Sequence, residues 1–182
     1  FNQRGNIRIL IQGLRQTKGV DEIIVCEDGS VDGSLEEWDR WLERPNDILL
    51  RLNDLHEIRS TDRAIRMTRS DILCIVQDDD EIKHHSWVEE AIALFDQDEK
   101  LGVLGGMYGY HNLFEDMIVQ WSGRKRNRPS SKSKNKFSYV EQVNIGPYFV
   151  RKSHFHKVGG WDFSFSKPGE MGMGFDHELC YR

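Results

Sequence analysis

The sequence predicts an α/β domain in which a mostly parallel sheet carries helices on both faces and is followed by a second half richer in β-structure. Three observations carry that prediction. Apolar runs of strand length alternate with stretches of helical periodicity from residue 7 to residue 106, the order that right-handed crossovers turn into a parallel sheet. One run, Ile72–Val76, is apolar throughout, as expected of a strand covered on both faces. Two runs empty into acid, Glu27-Asp28 and Asp78-Asp79-Asp80, at the strand ends where open α/β sheets bind ligands.

The elements follow in order. Asn6 caps a first helix whose Ile7, Leu10, Ile11 and Leu14 repeat at i, i+3, i+4, i+7. A strand spans 22–26. Ser34 with Glu37 forms a capping box for a helix with Leu35, Trp38, Trp41 and Leu42 on its apolar side. Ile48–Leu52 is a short strand, and a helix from Ser60 to Thr68 leads into the strand 72–76. Ser86 with Glu89 is a second capping box, ahead of Val88, Ala91, Ile92 and Phe95 on one helix face. Leu101–Gly106 returns to the sheet.

The segment 123–138, with Arg124–Arg128 and Ser130–Lys136, is polar, basic and aperiodic. It reads as a mobile loop, solvated rather than wrapped on a phosphate. A β-rich stretch, Tyr139–Ile145 and Tyr148–Arg151, then leads to a short helix and Gly159-Gly160-Trp161-Asp162. Ser164–Gly174 reads as a flexible flap before a final helix starting near Asp176.

At 182 residues, 38% hydrophobic and 30% charged, the chain fits one globular domain. No apolar stretch approaches the roughly 20 residues that span a bilayer. A net charge of −5 weighs against a nucleic-acid surface. Cys26, Cys74 and Cys180 lack metal-ligand spacing and read as core thiols. His84 and His85 are adjacent, with no partner at ligand spacing. Phe1–Arg4 reads as the exit of a strand lying ahead of the chain, and Leu179–Arg182 stops in mid-helix pattern, so the sequence reads as a fragment.

The chemistry gathers at the acids. Three adjacent carboxylates repel one another, and a hard divalent cation with oxygen ligands, bridging to phosphate, relieves that repulsion. A solvated acidic turn is the alternative. The glycines of Glu27–Ser34 permit close approach of a ligand to the backbone.

Four segments, in order, resemble the motifs of family 2 glycosyltransferases. Glu22–Ser34 resembles the strand followed by an Asp-Asp-Gly-Ser-x-Asp-Gly turn, and Asp78-Asp79-Asp80 the Asp-x-Asp motif. Gly159–Asp162 resembles the Gly-Gly-aromatic-Asp segment, and Phe175–Leu179 with Arg182 the Glu-Asp-x-Asp-Leu-x-x-Arg helix. The resemblance covers nearly the whole chain apart from 111–138. It implies a GT-A, Rossmann-like fold with a nucleotide-sugar-binding half over 1–110 and an acceptor-binding half over 111–182. It implies inverting transfer of a hexosyl or N-acetylhexosaminyl group from a nucleotide sugar, UDP-linked foremost, to a glycan, lipid-linked or protein acceptor.

The roles follow from the same resemblance. Asp176 is the general base, and Asp78 and Asp80 hold Mn²⁺ or Mg²⁺ against the diphosphate, with Asp79 beside them. Asp28, with Glu27, grips uracil and ribose, and Arg59 or His56 contacts phosphate or base. Gly160, Trp161, Asp162 and Glu178 lie on the acceptor side. The chain departs from the pattern at Glu27 (usually Asp), at Phe175 (usually Glu), and in lacking the family's first strand. Plainer readings stand beside these. Asp176 suits a helix N-terminus, and Glu178 suits an ion pair with Arg182. Trp161 suits a core as well as a sugar platform, and Asn144–Pro147 suits an ordinary turn as well as a cleft wall.

Two other function classes remain. One is a catalytically silent domain of this fold that binds nucleotide or glycan. The other is a nucleotidyltransferase, which expects a glycine-rich basic loop where this chain has Asn2-Gln3-Arg4-Gly5. The resemblance favours a cytoplasmic or membrane-associated setting and also allows a secretory one.

Overall fold

The computed structural model describes residues 1–82, 84–106, 109–110, 126–127, 140–167 and 170–182. The predicted loop 123–138 lies outside the described residues except for 126–127.

Helix α1 (Arg4–Gln16) buries Ile7, Leu10 and Ile11, as the periodicity requires. Its N-cap is Gln3 rather than the predicted Asn6, and Asn6 Nδ2 donates back to the Gln3 side chain at 3.0 Å. Strand β1 (Ile24–Glu27), helix α2 (Ser34–Trp41) and strand β2 (Ile48–Arg51) follow. β1 and β2 pair in parallel from Ile24↔Ile48 to Glu27↔Arg51, and α1 and α2 pack on them through Ile7, Ile11, Val25 and Trp38.

Neither predicted capping box forms. At α2 the cap is Gly33, at φ 88°, and Asp32 Oδ1 accepts both the Ser34 N–H (3.0 Å) and the Ser34 hydroxyl (2.5 Å). Glu37 accepts from the Trp41 indole instead, at 2.8 Å. At α4 (Trp87–Gln97) the Ser86 hydroxyl donates to Glu90 at 3.2 Å. In each case a closer side-chain partner takes the group that a box would use.

Helix α3 (His56–Met67) begins a turn before the predicted Ser60. Strands β3 (Ile72–Ile75), β4 (Val103–Gly105), β5 (Gly109–Tyr110), β6 (Arg126–Asn127), β7 (Gln142–Val143) and β8 (Tyr148–Arg151) come next. Helix α5 (Lys152–Lys157), a 3-10 turn at Phe163–Phe165 and helix α6 (Phe175–Tyr181) complete the described chain.

β8 lies between β3 and β4 and runs antiparallel to both. The two crossover strands thus point the same way with a reversed strand from the second half wedged between them, which makes this sheet mixed. A small antiparallel sheet, β6-β5-β7, is hydrogen-bonded separately, and Val143 of β7 packs into the same core as Tyr148 and Val150.

β8 anchors the core. Tyr148 and Val150 face Ile58, Ile65, Phe155, Trp161 and Phe175, while Phe149 faces Val88, Ala91 and Phe95. Each such side chain stabilises the fold by about 1.5–3 kcal/mol when fully buried. β3 carries an equally apolar sequence, yet all four of its residues are only half-buried. The predicted burial on both faces is therefore incomplete, because a cavity runs along the edge of β3 that β8 does not cover. Among the described residues, no helix is long and apolar enough to cross a membrane.

Candidate active site

The acids that follow β1 shape their surroundings through backbone N–H groups. Glu27 is buried, at 5% exposure, and its carboxylate accepts the N–H of Gly29 (3.2 Å) and Ser30 (2.8 Å), closing the turn. Asp28 reaches across to α3 and accepts the N–H of Leu55 (2.9 Å) and of His56 (2.7 Å), one on each oxygen. That long-range cap satisfies the orphan donors of the first turn, and it explains why α3 starts at His56. Each carboxylate oxygen retains a second lone pair for a ligand.

The aspartates after β3 form a tight turn, in which Asp80 N–H donates to Gln77 O at 3.2 Å and Asp80 Oδ2 accepts the Gln77 N–H at 2.9 Å. Burial raises the Asp80 carboxyl above the usual carboxylate range, and repulsion from Asp79 and Asp78 adds to it. The Phe1 backbone nitrogen stands 2.7 Å from Asp78 Oδ2. A residue not singled out from the sequence joins them. Glu57, in the first turn of α3, accepts from Gln77 Nε2 at 3.3 Å, and its carboxyl is raised by burial and by the charges of Asp176, Asp78 and Asp79.

Asp176 sits in the first turn of α6. Its Oδ2 accepts the Ile145 N–H at 3.1 Å and lies 3.8 Å from His177 Nε2. His177 is bonded to Asn144 Oδ1 at 2.7 Å. The next residue along this loop, Gly146, takes φ 90°, and a Cβ there would stand 3.3 Å from Asp80 Oδ2. One loop, Asn144–Pro147, thus touches Asp176 with one residue and Asp80 with the next. Glycine is required at that contact both for its positive φ and for the close approach.

The remaining predicted residues lie farther back. Arg59 donates to Ser166 O at 3.1 Å, and its guanidinium stands 4.9 Å over the Phe163 ring. It therefore ties the 163–166 segment to α3, and it does not line the cavity beside the acids. Trp161 takes its core reading, 4% exposed, with the rings of Phe175, Phe155 and Tyr148 at 5.0, 5.2 and 5.9 Å. Gly160, at φ 77°, packs against the Phe155 ring. Asp162 accepts the Ser164 N–H at 2.9 Å, and its carboxyl is held below the ordinary range by its bonds to Ser164. Glu178 pairs with Arg182 at 2.6 Å, and Arg182 also donates to Gly160 O at 2.7 Å. These contacts tie α6 to the Gly159–Trp161 turn.

A cavity of about 1160 Å³ opens between β1 and β3, with Asp28, Glu57, Asp78 and Asp79 at the strands' C-terminal ends. The described residues hold no ready-made cluster of three or more metal-ligating side chains. Two neighbouring carboxylates, one raised by burial, fit a hard cation that takes its other ligands from a substrate's phosphates.

The family model described as Glycosyl transferase family 2 matches residues 1–159. No curated protein sequence matches the chain. Among solved structures, the mannosyltransferase PcManGT from Pyrobaculum calidifontis, in complex with GDP-Man and Mn²⁺, superposes with a TM-score of 0.70 at 14% identity, over 98% of this chain and 48% of that one. S. aureus TarS residues 1–349 superposes with a TM-score of 0.66 at 16% identity, over 99% of this chain and 51% of that one. The chain thus spans about half the length of either. Its strand-end acids, its mixed sheet and the family match over residues 1–159 agree, and the chain belongs to glycosyl transferase family 2, with the GT-A fold.

Proposed function

We propose that this domain transfers a hexosyl or N-acetylhexosaminyl group from a nucleotide sugar, UDP-linked foremost, to an acceptor hydroxyl with inversion. One observation carries the reading: Ile145 N–H bonds Asp176 and the adjoining Gly146 packs closely against Asp80, which supports a base and a metal-holding carboxylate facing one cleft across this loop.

Asp78 and Asp80 would hold Mn²⁺ or Mg²⁺, with Asp79 beside them. Such an ion supplies positive charge for the departing diphosphate. Asp176 accepts the proton of the acceptor hydroxyl as that oxygen bonds to the anomeric carbon. The bond from that carbon to the diphosphate breaks on the opposite face, and a single displacement inverts the centre. The Ile145 N–H fixes the Asp176 carboxylate, and a positioned base contributes on the order of 10²–10⁴ in rate.

Asp28 and Glu27 would meet the base and ribose with their remaining lone pairs. Arg59, tied to Ser166, would act on the donor through that segment. Gly160, Trp161, Asp162 and Glu178 would serve the acceptor side by fixing where α6 and its Asp176 stand. The acceptor itself is a glycan, a lipid-linked sugar or a protein hydroxyl.

The test is turnover of UDP-sugars, and of GDP-mannose in parallel, by wild type and by Asp176→Asn. A loss of about 10²–10⁴ in kcat with donor binding retained supports the base assignment. Full activity in Asp176→Asn would sink it. Metal-dependent nucleotide binding with no transfer from any donor would favour the silent-domain reading.

A further inference from the structure

Glu57 is a cavity-lining carboxylate with no part in the chemistry proposed for Asp78, Asp80 and Asp176. Asp28 fixes where it stands, because the cap on Leu55 and His56 starts α3 at His56 and puts Glu57 in its first turn. From there Glu57 Oε1 accepts from Gln77 Nε2 at 3.3 Å. Gln77 also closes the aspartate turn on Asp80, and its own Oε1 lies 3.1 Å from where a Gly146 Cβ would stand. One amide side chain thus ties Glu57 both to the aspartate turn and to the loop whose Ile145 holds Asp176.

The second oxygen of Glu57 has no such tie. Oε2 makes no hydrogen bond to any described residue, and Glu57 lines the cavity together with Asp28, Asp78 and Asp79. In the proposed reaction the nucleoside meets Asp28, the diphosphate meets the Asp78–Asp80 turn, and the acceptor's proton goes to Asp176. The donor's sugar lies between them, since its anomeric carbon bears the diphosphate and faces the base. The charges of Asp176, Asp78 and Asp79 all act on Glu57, so its carboxylate borders that same space.

We infer that Glu57 grips the donor's sugar ring by accepting hydrogen bonds from its hydroxyls, and that the pocket selects an uncharged sugar. This rests on the sugar-transfer reading and adds the donor's chemical class to it. An ionised carboxylate offers only acceptors, and a sugar ring carries several O–H donors. Such charge-assisted bonds are stronger than neutral ones, and they offset the repulsion that the neighbouring aspartates impose on Glu57.

The exclusion of charged sugars follows from the same field. Among the described residues that line the cavity, the one lysine or arginine is Arg69, which precedes β3 at the end away from the acids. The charge of a bound metal ion is met by the diphosphate. A uronic acid would therefore bring another carboxylate against Glu57 and the aspartates with no cation facing it, which is unfavourable in a partly buried cleft.

Calorimetric titration with Mn²⁺ present tests the inference, using UDP and UDP-glucose, and GDP and GDP-mannose, on wild type, Glu57→Gln and Glu57→Ala. Glu57→Ala should bind the sugar nucleotide about tenfold more weakly than wild type and the bare nucleotide within about twofold, with Glu57→Gln between. Among monodeoxy analogues of the donor that binds, at least one should lose about tenfold on wild type and nothing further on Glu57→Ala. The matching nucleotide uronate should bind wild type at least about tenfold more weakly than the neutral donor, and Glu57→Gln should narrow that gap.

Three outcomes overturn the inference. Equal losses for nucleotide and sugar nucleotide would make Glu57 a residue of the metal site or the turn. No loss for either in a folded Glu57→Ala, or a uronate bound as tightly as the neutral donor, would equally end it. None of the three touches the sugar-transfer reading, which falls instead on full turnover by Asp176→Asn. A folded wild type that binds no nucleotide would remove both together.

Discussion

β8 and β3 have similarly apolar sequences, Tyr148-Phe149-Val150-Arg151 and Ile72-Leu73-Cys74-Ile75, and neighbouring places in one sheet. They end up differently. Tyr148, Phe149 and Val150 are between 0 and 4% exposed, whereas every residue of β3 is half-buried. The cause is the number of neighbours: among the described residues β8 has a strand on each side, and β3 has one side open to the cavity. Apolar sequence sets what a strand is able to bury, and pairing decides what it does bury. The same contrast divides the site, because Asp176 is fastened to the finished region through Ile145, while Asp28, Asp78 and Asp79 line the open one.

The largest effect expected from this contrast is on stability. Phe149→Ala should cost about 3–5 kcal/mol in urea unfolding, as for other buried aromatics, and Leu73→Ala about 1–2 kcal/mol, in keeping with partial burial. Equal costs would break the comparison. Next comes the cap that joins the regions: Asp28→Ala should cost about 0.5–2 kcal/mol and speed exchange of the Leu55 and His56 amides, with Asp28→Asn affected less.

The smallest effect is a pH dependence at Glu57, whose carboxyl is raised by burial first and then by Asp176, Asp78 and Asp79. A carboxyl raised on folding stabilises the protein below its unfolded pKa, and that contribution is lost as pH rises through the folded value. Glu57→Gln should therefore raise the melting temperature at neutral pH. The gain should shrink to nothing as pH falls below the ordinary glutamate range. A gain that grew on acidification would contradict the assignment.

Much of this was legible in the sequence, and the exceptions share a cause. Helix faces such as Ile7, Leu10 and Ile11 and the acids after β1 and β3 are local signals, and they stand where periodicity and strand ends put them. The start of α3 was missed because its cap, Asp28, lies 27 residues upstream of Leu55. The insertion of β8 between β3 and β4 is a pairing choice with no local signature. In the site, Glu57 lies ahead of the helix expected from Ser60, and its place shows only where α3 meets the turn at Gln77. Trp161 after two glycines suited both a platform and a core, and three neighbouring rings decided for the core.

The account's central claim is that the carboxylates at the end of β3 bind a metal-bridged nucleoside diphosphate. The most direct test is calorimetric titration of UDP, with GDP alongside, in the presence and absence of Mn²⁺, on wild type and Asp80→Ala. The account predicts Mn²⁺-dependent binding to wild type that is lost in Asp80→Ala while the melting transition is kept. Binding that ignores both the metal and the substitution, or no nucleotide binding by a folded wild type, would contradict it.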